Sequence, residues 1–90
     1  MPVPYDIELS DSLQKKIRKL QRKDPKYYEA VVNKILQITE NPQFGKPLRN
    51  ILKGKRRSQV GPFVLIYEID EDEHLVIFIE FGPHDEVYKH

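Results

Sequence analysis

Asp24-Pro25 separates two stretches of helical periodicity, and that junction limits the possible folds more than any other feature of the chain. Proline's fixed φ suits the first turn of a helix, where its missing N–H is not needed, and the preceding Asp supplies a side-chain cap. A helix therefore starts at Pro25. Tyr27, Tyr28, Val31, Val32, Ile35, Leu36 and Ile38 give it a broad apolar face up to about Glu40, where Asn41-Pro42 ends it. Upstream, Leu13, Ile17 and Leu20 recur at spacings of four and three, so another helix begins near Ser10 or Asp11 under a side-chain oxygen. Helices joined by one or two residues fold back as an antiparallel hairpin. A hairpin with one broad apolar face needs a sheet to cover.

The rest of the chain supplies it. Tyr5, Ile7 and Leu9 alternate with Asp6 and Glu8, the period-two pattern of a short edge strand. Phe44 to Asn50 carries Gly45 and Pro47 and reads as a connector anchored by Ile51-Leu52. A strand follows over Lys55 to Val60, a turn at Gly61-Pro62, and a strongly β-forming run over Phe63 to Ile69. The acidic loop Asp70-Glu71-Asp72-Glu73 leads to a last strand, His74 to Phe81, which Gly82-Pro83 ends, and the short connections make these pairings antiparallel. Ninety residues hold one domain, 1–90. The expected fold is α+β in the order β-α-α-β-β-β, with the hairpin on one face of a small, mainly antiparallel sheet. Strict alternation puts Leu75, Ile77, Ile79 and Phe81 opposite Val76 and Phe78, so both sheet faces are apolar while the helices cover one. The other face is closed by the C-terminal tail or by a partner chain.

Composition removes several classes of function. There is no cysteine, hence no disulfide, thiolate metal site or cysteine nucleophile. His74, His84 and His90 lack metal-ligand spacing, and the four glycines form no phosphate loop. No metal or other cofactor is expected. The longest apolar runs have five residues where a membrane helix needs about 20, and no secretory signal is visible, so the expectation is a cytoplasmic chain without membrane contact.

Charge is distributed unevenly. Residues 1–57 hold 14 Lys/Arg and 6 Asp/Glu, whereas residues 58–90 hold one Lys and 8 acids. One surface is thus suited to a polyanion and another to a basic partner. In the strand Lys55 to Val60, side chains alternate, so Lys55, Arg57 and Gln59 form a row of donors on one face while Arg56, Ser58 and Val60 share the other. Such a row suits phosphate contacts. It equally suits an edge strand protected from aggregation by charge. In the tail, His84 and Tyr88 are groups able to exchange a proton or hold a developing charge.

The order of these segments resembles the RelE/ParE superfamily of toxins from toxin–antitoxin systems, with the overall form most like archaeal RelE-like members. The resemblance rests on Leu48-Arg49 to Leu52-Lys53-Gly54, Arg57-Ser58-Gln59-Val60-Gly61-Pro62-Phe63, Ile66-Tyr67-Glu68-Ile69 and the closing His84 to Val87-Tyr88. It implies an endoribonuclease that cuts mRNA on the ribosome, without a metal, and is silenced by a cognate antitoxin. By matched position, Arg57, His84 and Tyr88 would be catalytic, and Arg49, Lys53, Lys55, Arg56 and Gln59 would bind nucleic acid. Val64 and Asp85 stand where cleaving members of the family often carry basic residues. A non-catalytic toxin or binding module, such as a ParE-like inhibitor of DNA gyrase, is the alternative, and an RNA-binding domain without toxicity is a third reading.

Overall fold

The structure is a computed structural model, and it describes residues 3–48, 54–83 and Val87. The elements follow in the order β1 (Asp6–Leu9), α1 (Asp11–Lys23), α2 (Pro25–Glu40), β2 (Lys46–Pro47), β3 (Lys55–Val60), β4 (Phe63–Asp70) and β5 (Leu75–Pro83), with a 3-10 turn over Pro42–Phe44 ahead of β2. The strands form one sheet in the order β1-β5-β4-β3-β2. β1 runs parallel to β5, and the other pairings are antiparallel.

Local chemistry sets the helix boundaries. Ser10 Oγ accepts from the Leu13 N–H at 3.1 Å and so caps α1. Asp24 does two jobs: its backbone N–H closes α1 on the Leu20 carbonyl at 2.8 Å, and its carboxylate accepts from Tyr27 N at 3.2 Å to open α2 at Pro25. Only Leu13 of α1 is fully buried, whereas α2 buries Val31, Ile35 and Ile38. These side chains meet Val60, Leu65, Tyr67, Val76, Phe78 and Phe81 of the sheet to form the main core. The Tyr27 phenol reaches over this core and donates to the Val60 carbonyl, tying α2 to the end of β3.

Three features depart from the expectation. The connector after Phe44 contains a short edge strand, β2, in which Lys46 pairs with Arg57 and Pro47 with Arg56. Proline is tolerated there because an edge strand leaves one side of its backbone unpaired. Secondly, β5 bulges. Tyr67 pairs with Phe78 but Ile66 pairs with Glu80, leaving Ile79 without a partner on β4. The extra residue reverses the alternation beyond it. Phe81 consequently joins Val76 and Phe78 in the helix-side core and not the face of Leu75, Ile77 and Ile79. Thirdly, Gly82-Pro83 does not break the strand: both residues stay in register, opposite Val64 and Phe63. Proline falls at the last position of β5, where the ladder no longer depends on its missing N–H.

The start of α1 is fastened to the bulge. Ser10 N donates to the Phe78 carbonyl at 2.9 Å and Ser10 Oγ to the Ile79 carbonyl at 2.6 Å. Lys16 Nζ reaches the Phe81 carbonyl at 2.9 Å and the Glu80 carboxylate at 2.6 Å. On the sheet face away from the helices, Val64 and Ile66 are buried beneath Val87, with Leu48 packed beside them. Of the two ways to close that face, the tail is the one that covers this part of it.

Candidate nucleic-acid interface

The strand period places the donor row where it was expected. Lys55, Arg57 and Gln59 stand in register with Glu68, Ile66 and Val64, so they share the face away from the helices. Pairing with β2 adds Lys46 directly beside Arg57. Lys55 Nζ lies 3.9 Å from Glu68 Oε2, a half-exposed pair worth little in water. Arg57 has no ion-pair partner among the described residues. Gln59 is exposed, and its amide donates to the Gly61 carbonyl at 3.1 Å, which holds it against the β3–β4 turn.

Arg56 lies on the helix side of the same strand. Its Nη1 donates to the Gly45 carbonyl at 2.8 Å. Tyr67, fully buried, completes this anchorage: its phenol donates to the Pro42 carbonyl at 2.7 Å and accepts from Gly45 N at 2.8 Å. Burial pushes the Tyr67 phenol above its ordinary pKa, an effect partly offset by the Gly45 N–H and the Arg56 charge, so it stays a protonated donor at neutral pH. Gly45 is required for this close approach. A Cβ there would fall 2.3 Å from the Tyr67 oxygen and 2.6 Å from the Arg57 carbonyl.

The result is a cleft of about 270 Å³ at the sheet edge, lined by Phe44, Gly45, Lys46, Arg57, Ser58 and Gln59. It opens where β2 stops. β2 spans only Lys46–Pro47, and the outer edge of β3 past Arg57 has no strand beside it among the described residues. Sequence reasoning missed Lys46 as a site residue because it read this segment as a connector. A Lys-Pro-Leu run ahead of a turn is the only local hint of a strand. A second group of basic residues, Lys15, Arg18, Lys19 and Arg22, lies elsewhere, along α1.

His84, Tyr88, Arg49 and Lys53 lie outside the described residues. Val87, between His84 and Tyr88 in sequence, is packed on Val64 and Ile66, the register partners of Gln59 and Arg57. The tail therefore has one fixed point on the face that carries the donor row. Val64 is 2% exposed. At this position the chain has a packing residue under the tail in place of a cation. Among the described residues no group of three or more His, Cys, Asp or Glu is placed to hold a metal ion. No helix among them is long and apolar enough to cross a membrane.

Comparison with known proteins gives a consistent assignment. The family described as ParE toxin of type II toxin-antitoxin system, parDE, matches residues 7–88. A chain of Methanocaldococcus jannaschii that carries the name toxin RelE4 is 40% identical over 86 residues, covering 94% of this chain and 92% of its own length. A chain of the toxin–antitoxin complex RelBE2 from Mycobacterium tuberculosis superposes with a TM-score of 0.78 at 27% identity, over 91% of this chain and 100% of that one. A mutant of E. coli toxin RelE in the free state has the same fold, with a TM-score of 0.76 at 19% identity over 97% of this chain and 90% of that one. The helical hairpin, the mixed sheet, the basic third strand and these matches together place the chain in the RelE/ParE family of toxins of type II toxin–antitoxin systems.

Proposed function

We propose that this toxin is a ribosome-dependent mRNA endonuclease and that the face bearing Lys55, Arg57 and Gln59 is its substrate surface. The observation that carries the reading is Arg57: a cation without an ion-pair partner among the described residues, next to Lys46, on the face where Val87 fixes the tail. In the reaction the ribose 2′-oxygen attacks the adjacent phosphorus, its proton passes to an acceptor, and the bond to the 5′-oxygen breaks as that oxygen takes up a proton. Such a step needs an acceptor, a donor and cations over the phosphate. Arg57 serves as the phosphate clamp, with a guanidinium fork matched to two phosphate oxygens. Lys46 and Lys55 add positive field, as do Arg49, Lys53 and Arg56 in the sequence around them. His84 and Tyr88 are the groups for proton transfer or substrate orientation.

The partners that follow are the ribosome with its mRNA, and a cognate antitoxin that masks the surface. The M. tuberculosis relative is described in complex with an antitoxin, which supports the second. A separate reading, a ParE-like inhibitor of DNA gyrase, is favoured by Val64 and Asp85 at positions where cations would help cleavage. Purified protein added to programmed ribosomes and, separately, to a gyrase supercoiling assay distinguishes them. Cut mRNA with unaffected supercoiling is the expected result. Inhibited gyrase with intact mRNA would replace the nuclease reading by the second one.

A further inference from the structure

We infer that Phe44 is a stacking platform for a nucleobase, so that the cleft at the edge of β3 takes a whole nucleotide, with the base on Phe44 and the phosphate among Arg57 and Lys46. This rests on the nucleic-acid reading of the donor row and adds to it a base subsite formed by a different part of the chain.

Four large apolar residues stand exposed among the described residues: Val3, Ile7, Leu36 and Phe44. Of these, Phe44 lines the cleft that also holds Lys46, Arg57, Ser58 and Gln59. Phe44 is 52% exposed although it sits beside a buried anchorage. Its turn is held at both ends, by the Tyr67 phenol on Pro42 and Gly45 and by Arg56 on Gly45, while Phe44 N donates to the Asn41 carbonyl at 3.0 Å. The chain thus fixes the backbone that carries an aromatic side chain without burying that side chain, which leaves apolar area in water at a cost of about 25 cal/mol per Å². Lys34 Nζ lies 5.1 Å from the ring centroid, over one face, so a stacked base would take the opposite face. Single-stranded RNA is held by this combination, with cations along the backbone and aromatic faces under the bases. A cleft of about 270 Å³ falls just below the range of roughly 300–1,000 Å³ for drug-sized ligands and so suits one planar group.

The chain has no tryptophan, so Phe44→Trp introduces a single reporter at the site. The probes are a short single-stranded RNA and a ribose-phosphate oligomer of equal length and charge but without bases. Emission from Phe44→Trp should fall on adding the RNA and stay unchanged with the baseless oligomer. Phe44→Ala and Phe44→Leu should bind the RNA about tenfold more weakly and the baseless oligomer as the unaltered protein does, while Phe44→Tyr should keep full RNA affinity. Thermal unfolding of each variant separates lost binding from lost fold, and the Trp and Tyr variants decide the matter if Ala or Leu unfolds. Equal binding of both oligomers by the unaltered protein, unmoved Trp emission, or full RNA affinity in folded Phe44→Leu would overturn the inference. Base-dependent binding without cleavage on programmed ribosomes would reject the nuclease reading and leave the platform standing. Cleavage without base-dependent binding would do the reverse.

Discussion

Arg56 and Arg57 are neighbours in sequence with opposite tasks, because successive residues of a strand face opposite ways. One guanidinium holds Gly45 from the helix side and the other stands without an ion-pair partner among the described residues on the far side. The two faces could be read from the alternation alone, but the contact of Arg56 with Gly45 could not. Nor could the role of Tyr67, since its partners lie 22 and 25 residues earlier in a segment with no strong secondary-structure signal. Tyr67→Phe leaves the Pro42 carbonyl and Gly45 N–H without their partner, and urea unfolding should show a loss of about 1–3 kcal/mol. The same phenol carries a pH dependence. Its pKa is raised in the folded protein, so its contribution is complete below the unfolded value of about 10 and is lost as pH rises through the folded value. The urea midpoint should therefore fall above about pH 10, less steeply in Tyr67→Phe than in the unaltered protein. An equally steep fall in both would remove Tyr67 as a cause.

At the scale of elements, both helices and the three long strands were legible because their signals are local: Ser10, Asp24 and Pro25 at the helix starts, and β-forming runs in β4 and β5 set off from their neighbours by Gly61-Pro62 and the acidic turn. The bulge in β5 was not, because nothing in Phe78 to Phe81 marks one residue as supernumerary. Only the competition between the register with β4 and the core position of Phe81 decides it. β2 escaped notice for a related reason: two residues are too few to carry a period. Ser10 joins the legible and illegible parts, capping α1 while its hydroxyl donates to the bulged Ile79. Ser10→Ala removes both bonds and should cost about 1–2 kcal/mol in chemical denaturation. Ser10→Asp restores the acceptor for Leu13 but not the donor for Ile79, so it should recover only part of the loss. Full recovery would show that the bulge contact adds nothing to stability.

On the scale of the whole molecule, the basic residues before position 58 and the acidic ones after it are interleaved by the fold, since β3 pairs directly with β4. Positive charge nonetheless collects at the β3 edge through Lys46, Lys55 and Arg57, and along α1 through Lys15, Arg18, Lys19 and Arg22. RNA binding through phosphates releases counterions, with a slope of log affinity against log salt of about −0.7 per phosphate neutralised on a single strand. Replacing Lys46 by Ala should flatten that slope by about 0.7, and replacing Lys26, on α2 away from the cleft, should leave it unchanged. The site was thus partly visible beforehand: the donor row follows from strand period, while Lys46 and Phe44 enter only through a turn pinned from the core. The most direct test compares Arg57→Ala with Arg56→Ala in single-turnover mRNA cleavage on programmed ribosomes, with unfolding measured for both. Arg57→Ala should retain its stability and lose cleavage by about 100-fold or more, while Arg56→Ala should lose stability and cleave far better than Arg57→Ala in its folded fraction. Cleavage by folded Arg57→Ala at the unaltered rate would contradict the assignment of this face as the substrate surface.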